Sequence, residues 1–268
     1  MPTKKDGVGK TTTTLNLGVA LAKEGNRVLL IDADPQANLT TCLGCDNLAN
    51  EQYTLSSIMT NDEELEEISI EDVIITTNEG VDLIPSDINL CAVDMKLINT
   101  FNRESVLSSY IYDSDIREDY DFILIDCMPS INIMTLNCLA CADEVLIPVQ
   151  SHYLAVKGMD LLFDTINNVK KNLNKNLEVS GILLTLVNKN TNISKTIRDL
   201  IEDTFGDIYN IYNTEIPFTI RVPESNSVGK SIYTYNKGKN IAPIYEEFTK
   251  EFLSREREIS NREQEIER

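Results

Sequence analysis

Residues 7 to 12 set the strongest limits on the fold. In a chain of 268 residues with only 11 glycines, Gly7 and Gly9 are followed directly by Lys10, Thr11 and a helical pattern. Such a loop presents backbone N–H groups to phosphate oxygens, and the start of the following helix adds positive partial charge. Lys10 would reach the outer phosphates, and the Thr11 hydroxyl would ligate Mg²⁺. The alternative is a helix start that binds no ligand. The predicted phosphate-binding residues are Gly7, Val8, Gly9, Lys10, Thr11 and Thr12.

The composition fits a single globular domain. With 42% hydrophobic residues, the chain can bury a core, and we predict one domain over residues 1–253 and a charged tail over residues 254–268. No stretch approaches the ~20 apolar residues of a transmembrane helix, and the tail lacks the apolar face of a membrane-seeking helix. We therefore expect a cytoplasmic protein that does not bind membranes.

The negative charge is unevenly distributed. The formal net charge is −19, which excludes a protein that is basic over its whole surface. Residues 186–250 contain eight Lys or Arg and eight Asp or Glu, so this region is neutral. Any contact with nucleic acid is expected there, and it would be local and sensitive to salt.

Six cysteines include two C-x-x-C pairs, Cys42 with Cys45 and Cys138 with Cys141. The second pair lies in an apolar helical run, and no histidine or further cysteine completes a zinc site near either pair. We interpret these thiols as small apolar residues and not as metal ligands.

Apolar runs alternate with helical patterns along the chain. Short runs that are typical of buried parallel strands are separated by segments with helical spacing. This alternation predicts an α/β fold, a doubly wound and mostly parallel sheet with helices on both faces. The predicted strands are residues 27–31, 120–126, 143–150 and 177–188, and two further strands, 72–76 and 81–85, are predicted to be joined by a turn.

Acidic residues follow two of these strands. Asp32 and Asp34 come at the end of the first run, and Asp126 ends the run at 120–126. Open α/β sheets bind ligands at the carboxyl ends of their strands, so these carboxylates are predicted to lie near the phosphate loop. The alternative for the segment from Asp32 to Pro35 is a turn that caps a helix.

Four motifs resemble, in the same order, those of the deviant Walker A ATPases of the ParA/MinD type. Residues 5–11 are similar to K-G-G-V-G-K-T, and residues 32–36 match D-x-D-P-Q. Residues 126–130 resemble D-x-P-P-S, and residues 216–232 resemble I-P-x-x-x-R-x-x-E-A-P-x-x-G-K-P-I. The resemblance covers nearly the whole chain, and it implies the P-loop NTPase fold and the activity of a ParA/Soj-like partitioning ATPase.

The resemblance implies roles for individual residues in catalysis. Lys5 would reach across a dimer interface to the partner's phosphates and offset the charge that develops in phosphoryl transfer. Asp34 would position the attacking water. Asp32 and Asp126 would lie near Mg²⁺ together with Thr11, in part through water.

The resemblance also implies contacts with the nucleotide base and with DNA. Asn188 and Pro217 would lie beside the base, although a plain strand-end turn explains Asn188 equally well. For the basic residues of the last third, the alternative is that they are ordinary solvated charges. The predicted contacts with the DNA backbone are Arg221, Lys230, Lys237 and Lys239.

For the whole protein, the resemblance implies that ATP and Mg²⁺ bring two copies into a homodimer. The dimer would hold DNA non-specifically on the nucleoid, and a ParB-like partner would stimulate hydrolysis and release. Two alternatives stay open, a MinD-like positioning ATPase and a non-hydrolysing scaffold of the same fold.

The N-terminus departs from the family pattern at two points. Asp6 replaces the first glycine of the family's pair, and at an effective dielectric of ~20 its charge about 5 Å from a phosphate charge costs about 3 kcal/mol. Residues 1–4 are too few and too polar for the buried strand that leads into such a loop. The first strand is therefore expected to be missing and one hydrogen-bonding position in the sheet to be unfilled. Both departures predict impaired nucleotide binding.

Overall fold

The structure is a computed structural model that describes residues 7–49, 52–60, 68–114, 116–188, 191–235, 237–238 and 240–266. The predicted catalytic residue Lys5, the substituted position Asp6 and the predicted DNA contact Lys239 lie outside the described residues. The expectation of a missing first strand concerns residues 1–4, which also lie outside them.

Strands and helices alternate along the described residues. The strands are β1 (Val28–Ala33), β2 (Ile75–Thr76), β3 (Asp82–Ile84), β4 (Phe122–Cys127), β5 (Glu144–Gln150) and β6 (Glu178–Thr185). The helices are α1 (Lys10–Lys23), α2 (Asn38–Cys42), α3 (Asp46–Ala49), α4 (Leu55–Met59), α5 (Val93–Lys96), α6 (Val106–Asp113), α7 (Ile116–Asp119), α8 (Ile133–Cys141), α9 (Tyr153–Asn172), α10 (Asn192–Phe205), α11 (Arg221–Asn226) and α12 (Ala242–Ile266).

The strands form two sections. The first section has the order β2-β3-β1-β4, and the second section consists of β5 and β6. Every pair is parallel except β2 with β3. Parallel neighbours need crossover connections, which is why helices separate the parallel strands in the sequence. The predicted α/β fold with a mostly parallel sheet and helices on both faces is confirmed.

Helices cover both faces of the first section. On one face, α1 and α12 pack on Leu30 and Leu124, whereas α6 and α8 pack on Leu29, Ile31 and their neighbours on the other face. This alternation is the two-residue period of a strand that is buried on both sides. Gly18 lets α1 approach β1 closely, since a Cβ atom at this position would lie 2.6 Å from a methyl group of Leu30.

The four cysteines of the C-x-x-C pairs belong to the core. Cys42, Cys45, Cys138 and Cys141 are buried free thiols, packed among apolar side chains. Burial raises the pKa of Cys42 to about 12, so this thiol stays protonated. Within the part of the chain that the structure describes, no group of three or more His, Cys, Asp or Glu residues is suited to hold a metal ion.

The last helix crosses the predicted domain boundary. α12 runs without interruption from Ala242 to Ile266, so residues 254–266 continue the helix that packs on the sheet. Phe252 on this helix contacts Phe122 of β4, with ring centroids 6.0 Å apart. Among the described helices, α12 included, none combines the length and the apolar character needed to cross a bilayer.

One turn beyond Phe252, the α12 residue Glu256 lies beside Glu144 at the start of β5. Burial raises the pKa of Glu256 to about 8, and the neighbouring Glu144 contributes to this rise while Arg255 opposes it. A carboxyl group whose pKa is higher in the folded state than in the unfolded state stabilises the fold only while it is protonated. Its contribution is therefore complete below about pH 4.5 and is lost as the pH rises toward 8.

We expect Glu256→Gln to stabilise the protein selectively at high pH, because glutamine mimics the protonated carboxyl group. Thermal unfolding followed by circular dichroism should show a melting temperature about 3 °C higher than that of the parent at pH 8.5, and little change at pH 5. Glu247→Gln, at an exposed position of the same helix, is the matched control and should change neither value. Equal effects of Glu256→Gln at both pH values would contradict the assignment.

Candidate functional site

The glycine loop ends at the start of α1, and two contacts fix its shape. Gly9 precedes the helix with φ 82° and ψ 20°, a left-handed conformation that favours glycine. The Gly9 carbonyl accepts a hydrogen bond from the Thr13 N–H at 2.9 Å. The Thr185 hydroxyl, at the end of β6, donates to the Val8 carbonyl at 2.7 Å. The loop is thereby tied to the carboxyl end of the second sheet section.

The start of α1 is suited to bind an anion. Among the described residues, no side chain caps this end of α1, and no acidic residue lies in its first turn. The N–H groups of the first turn of a helix have no partner within the helix, so they can donate to phosphate oxygens. Lys10, Thr11 and Thr12 are half-buried at this end, and they place an ammonium and two hydroxyl groups beside those donors.

The packing of β1 and β4 brings two carboxylates to the same place. Asp32 lies opposite Asp126 in the register of the two parallel strands. Both residues share the strand face of Leu30 and Leu124, which is the face that α1 covers. The carboxylates therefore project from the ends of their strands toward the beginning of α1.

Asp32 is fully buried, and both of its carboxylate oxygens accept hydrogen bonds. Its Oδ2 atom accepts hydrogen bonds from the Thr40 N–H at 2.9 Å and from the Thr40 hydroxyl at 2.8 Å. Its Oδ1 atom accepts from the Asp34 N–H at 3.2 Å. Burial raises the pKa of Asp32 to about 6, against the lowering effect of these hydrogen bonds. The carboxylate thus also organises the segment between β1 and α2.

Asp126 is buried without such partners. It is 2% exposed, and neither carboxylate oxygen has a hydrogen-bond partner among the described residues. Burial raises its pKa to about 7, Asp32 adds to the shift, and the nearby Thr11 hydroxyl and Lys10 ammonium oppose it. Thr11 is close enough to lower the pKa, although it makes no hydrogen bond of ordinary geometry. A buried carboxyl group with two unpartnered oxygens fits a cation or its bound water molecules.

Asp34 lies at the rim of this arrangement and is half-buried. One carboxylate oxygen accepts from the Gln36 N–H at 2.9 Å, and the Asp34 carbonyl accepts from the Ala37 N–H at 2.8 Å. The turn that the alternative interpretation predicted is therefore present, but no side chain among the described residues caps α2, whose N-cap residue is Ala37. The second carboxylate oxygen of Asp34 takes no part in this turn hydrogen bond, so the turn is compatible with the predicted contact to water.

The two predicted base contacts are neighbours in the structure. Val187 forms a parallel bridge with Pro217, and its backbone exchanges hydrogen bonds with Ile216 and Phe218 at 3.0 Å each. Asn188 follows directly and is exposed. Its carbonyl accepts from the Thr191 N–H at 3.1 Å, so a strand-end turn also exists at this point.

The predicted DNA-binding residues differ in how much charge they present. The Arg221 guanidinium forms an ion pair with Glu224 at 2.8 Å on α11. The same Glu224 carboxylate accepts from the Tyr235 hydroxyl at 3.1 Å. Lys230 and Lys237 are exposed on the segment that follows α11. The lysines therefore supply more of the uncompensated positive charge of this surface than Arg221 does.

Three supporting residues carry no signal in the sequence. Thr40 holds Asp32, and Thr185 holds the loop at Val8. The buried side chain of Asn16 accepts from the Ile232 N–H at 3.0 Å, which ties α1 to the segment after α11. Threonine and asparagine are common in polar surfaces, so only the tertiary contacts single these residues out.

This chain is similar in sequence to known proteins. The chain matches the family model described as an AAA domain over residues 1–179. It is 38% identical to the sporulation initiation inhibitor protein Soj of Bacillus subtilis, over 92% of this chain and 94% of that protein. It is 36% identical to the chromosome partitioning protein ParA of Caulobacter vibrioides, over 95% of this chain and 93% of that protein.

A solved structure shows the same fold with ligands. Cobyrinic acid a,c-diamide synthase of Mycobacterium smegmatis, with a bound ATP analogue and magnesium, superposes with a TM-score of 0.76 at 30% sequence identity. The match covers 92% of this chain and 89% of that chain. Together with the loop, the carboxylate pair and the close relatives, it establishes that the chain belongs to the ParA/Soj family of ATPases.

Proposed function

We propose that this chain is a partitioning ATPase that binds ATP with Mg²⁺ at the glycine loop, dimerises in that state and associates with DNA. Its relatives support the coarser description, a partitioning or positioning ATPase. The single observation that carries the function is the position of Asp126. This buried carboxyl group with two unpartnered oxygens lies beside the Thr11 hydroxyl at the start of an uncapped helix.

The loop residues would bind the phosphates. The N–H groups of Val8 to Thr12 and the partial charge of α1 favour phosphate oxygens, and the Lys10 ammonium neutralises the outer phosphates. Thr11, Asp126 and Asp32 would hold Mg²⁺, directly or through water. When bound, Mg²⁺ neutralises phosphate charge and stabilises the charge that develops in phosphoryl transfer.

The remaining site residues would complete catalysis and base binding. Asp34 would orient the attacking water through its carboxylate, and Lys5 would place its ammonium at the phosphates of the partner subunit. Asn188 and Pro217, which the structure brings together at the end of β6, would flank the nucleotide base. The amide of Asn188 can both donate to and accept from a purine edge.

The dimer would bind DNA non-specifically through the neutral C-terminal third, with Lys230, Lys237, Lys239 and Arg221 at the phosphates. A ParB-like partner would stimulate hydrolysis and thereby release DNA. In this cycle the protein would act in the cytoplasm, on the nucleoid.

We expect Lys10→Ala to weaken ATP binding by at least about tenfold, because a phosphate then loses a charge-assisted partner in a partly buried site. Isothermal titration calorimetry with ATP and Mg²⁺ measures the effect. Lys23→Ala, at the other end of α1 and exposed, is the matched control and should bind ATP as the parent does. Equal affinities for Lys10→Ala and the parent would show that the glycine loop does not bind the nucleotide.

We expect Asp6→Gly to tighten ATP binding by about a hundredfold, which corresponds to the repulsion of about 3 kcal/mol from the charge of Asp6. Asp6→Asn keeps a side chain but removes the charge, so calorimetry on both variants separates electrostatic repulsion from steric exclusion. Unchanged affinity in both variants would show that Asp6 does not limit binding. Tight binding without phosphate release by any variant would favour the non-hydrolysing scaffold.

We expect the double variant Lys230→Ala/Lys237→Ala to weaken binding to duplex DNA of any sequence. It should also reduce the salt dependence of binding by about one unit of slope for each DNA phosphate that a lysine no longer neutralises. Fluorescence anisotropy at several salt concentrations, with ATP and Mg²⁺ present, gives both quantities. Lys171→Ala/Lys175→Ala, two exposed lysines after β5, is the control with the same change in net charge. Equal effects in both double variants would mean that binding depends on net charge alone.

A further inference from the structure

Residues 229–235, which follow α11, join an exposed charge to buried neighbours. Lys230 is exposed, whereas the next two residues, Ser231 and Ile232, are 0% and 1% exposed. We call residues 229–235 the anchored segment. Because Lys230 directly precedes two closely packed residues, the contacts of those residues fix the position of its backbone.

The first contact of the anchored segment is with α1. The fully buried side chain of Asn16 accepts a hydrogen bond from the Ile232 N–H at its Oδ1 atom, at 3.0 Å. Its Nδ2 atom donates to the Thr12 carbonyl at 2.8 Å, one helical turn nearer to the glycine loop. Only this orientation of the amide satisfies both partners, since an N–H group cannot accept and a carbonyl cannot donate. One side chain therefore connects the first turn of α1 to the anchored segment.

The second contact brings two backbones together. Gly229 lies against Gly44, and both glycines have positive φ, 63° and 69°. A Cβ atom on Gly229 would lie 2.7 Å from the Cα atom of Gly44, so this approach requires glycine at position 229. Gly44 follows α2, whose residue Thr40 binds the carboxylate of Asp32. The anchored segment thus also contacts the stretch that begins at the proposed magnesium site.

The third contact comes from the turn between β2 and β3. The carboxylate of Glu79 accepts a hydrogen bond from the Ser231 N–H at 3.2 Å, and it accepts from the hydroxyl groups of Ser231 and Thr234. This turn belongs neither to the glycine loop nor to the carboxylate pair. Glu79 therefore holds the anchored segment on the fold, whereas Asn16 and Gly44 hold it on elements of the proposed nucleotide site.

A buried asparagine can also serve the fold alone, and this chain contains such a residue for comparison. Asn137 on α8 is 0% exposed, accepts from the Leu107 N–H at 3.1 Å and donates to the Arg103 carbonyl at 2.8 Å. Neither partner belongs to the glycine loop or to the anchored segment. Asn16 differs in that one partner lies in the proposed phosphate-binding turn and the other lies two residues from Lys230.

We propose that Asn16 is a positioning residue that couples the glycine loop to the anchored segment, so that a nucleotide at the loop restrains the segment and sets the position of Lys230. This coupling rests on the proposed function, because it requires phosphate at the loop and DNA at Lys230. A bound phosphate restrains the first turn of α1 through its N–H groups. Asn16 connects this turn to Ile232 by two hydrogen bonds. Because coupling is reciprocal, DNA must then tighten nucleotide binding by the same factor as nucleotide tightens DNA binding.

The test compares Asn16→Ala and Asn16→Leu with the parent. Both variants remove the two hydrogen bonds, and leucine keeps the side-chain volume, so a shared effect does not come from a cavity. Asn137→Ala is the matched control for loss of a buried asparagine. Glu79→Ala is the control for a segment that is loosened without loss of its contact to α1.

Calorimetry first measures the affinity for a non-hydrolysable ATP analogue with Mg²⁺. Amide hydrogen exchange of residues 230–235 is then measured with and without saturating analogue. The exchange is repeated at protein concentrations about tenfold apart, because protection by dimerisation depends on concentration. In the parent, the analogue should slow exchange of these amides about fivefold. Both Asn16 variants should bind the analogue within about threefold of the parent and show no such slowing.

The two controls should keep the response to the analogue. Asn137→Ala should behave as the parent, and Glu79→Ala should exchange faster at residues 230–235 in the absence of analogue but still slow down when it binds. Fluorescence anisotropy with duplex DNA should show that the analogue tightens binding by at least about tenfold in the parent and by at most about twofold in the Asn16 variants. Calorimetry with DNA present should give the same factors.

Three outcomes would overturn the coupling and leave the proposed function standing. They are a parent that binds the analogue without slower exchange at residues 230–235, Asn16 variants that respond as the parent does, and protection that rises with protein concentration. A parent whose segment responds but that binds no DNA would support the coupling and refute the DNA contact. A parent that does not bind the analogue in calorimetry would refute the proposed function and the coupling with it.

Discussion

The parallel pairing of β1 with β4 is the contact on which the site depends. The register sets Asp32 opposite Asp126 and puts both on the strand face that α1 covers. A slip of one residue between the two strands would put Asp32 and Asp126 on opposite faces, with one of them on the face packed by α6 and α8. The hydrophobic core therefore fixes the geometry of the site. The alternation that buries Leu30 and Leu124 under α1 also directs the two carboxylates to the side of the sheet that α1 covers.

The two buried carboxylates differ in their hydrogen-bond partners. Asp32 uses its oxygens to bind Thr40 and the backbone of Asp34, so it shapes the segment after β1. Asp126 has no such partners, and the cost of its burial appears as a pKa raised to about 7. An unsatisfied buried carboxyl group destabilises the fold unless a ligand compensates for it. A cation at this place would lower that pKa and stabilise the strand end that carries it.

The two sheet sections are connected by packed helices and by the glycine loop. α1 and α12 pack on both β4 and the region of β5, and Thr185 of β6 holds the loop that begins α1. Between β4 and β5, however, the backbone contributes no hydrogen bonds within the described residues.

The fold class, the glycine loop and the three acidic residues at the strand ends could all be predicted from the sequence. Each is encoded locally, by strand and helix periodicity and by residues that directly follow a strand. Which of these groups have hydrogen-bond or ion-pair partners depends on tertiary contacts. In the folded chain Thr40 binds Asp32, Glu224 neutralises Arg221, and Asp126 has no hydrogen-bond partner among the described residues. It also brought Glu144 beside Glu256. These two residues lie more than a hundred positions apart in the chain, and local patterns carry no information about such pairings.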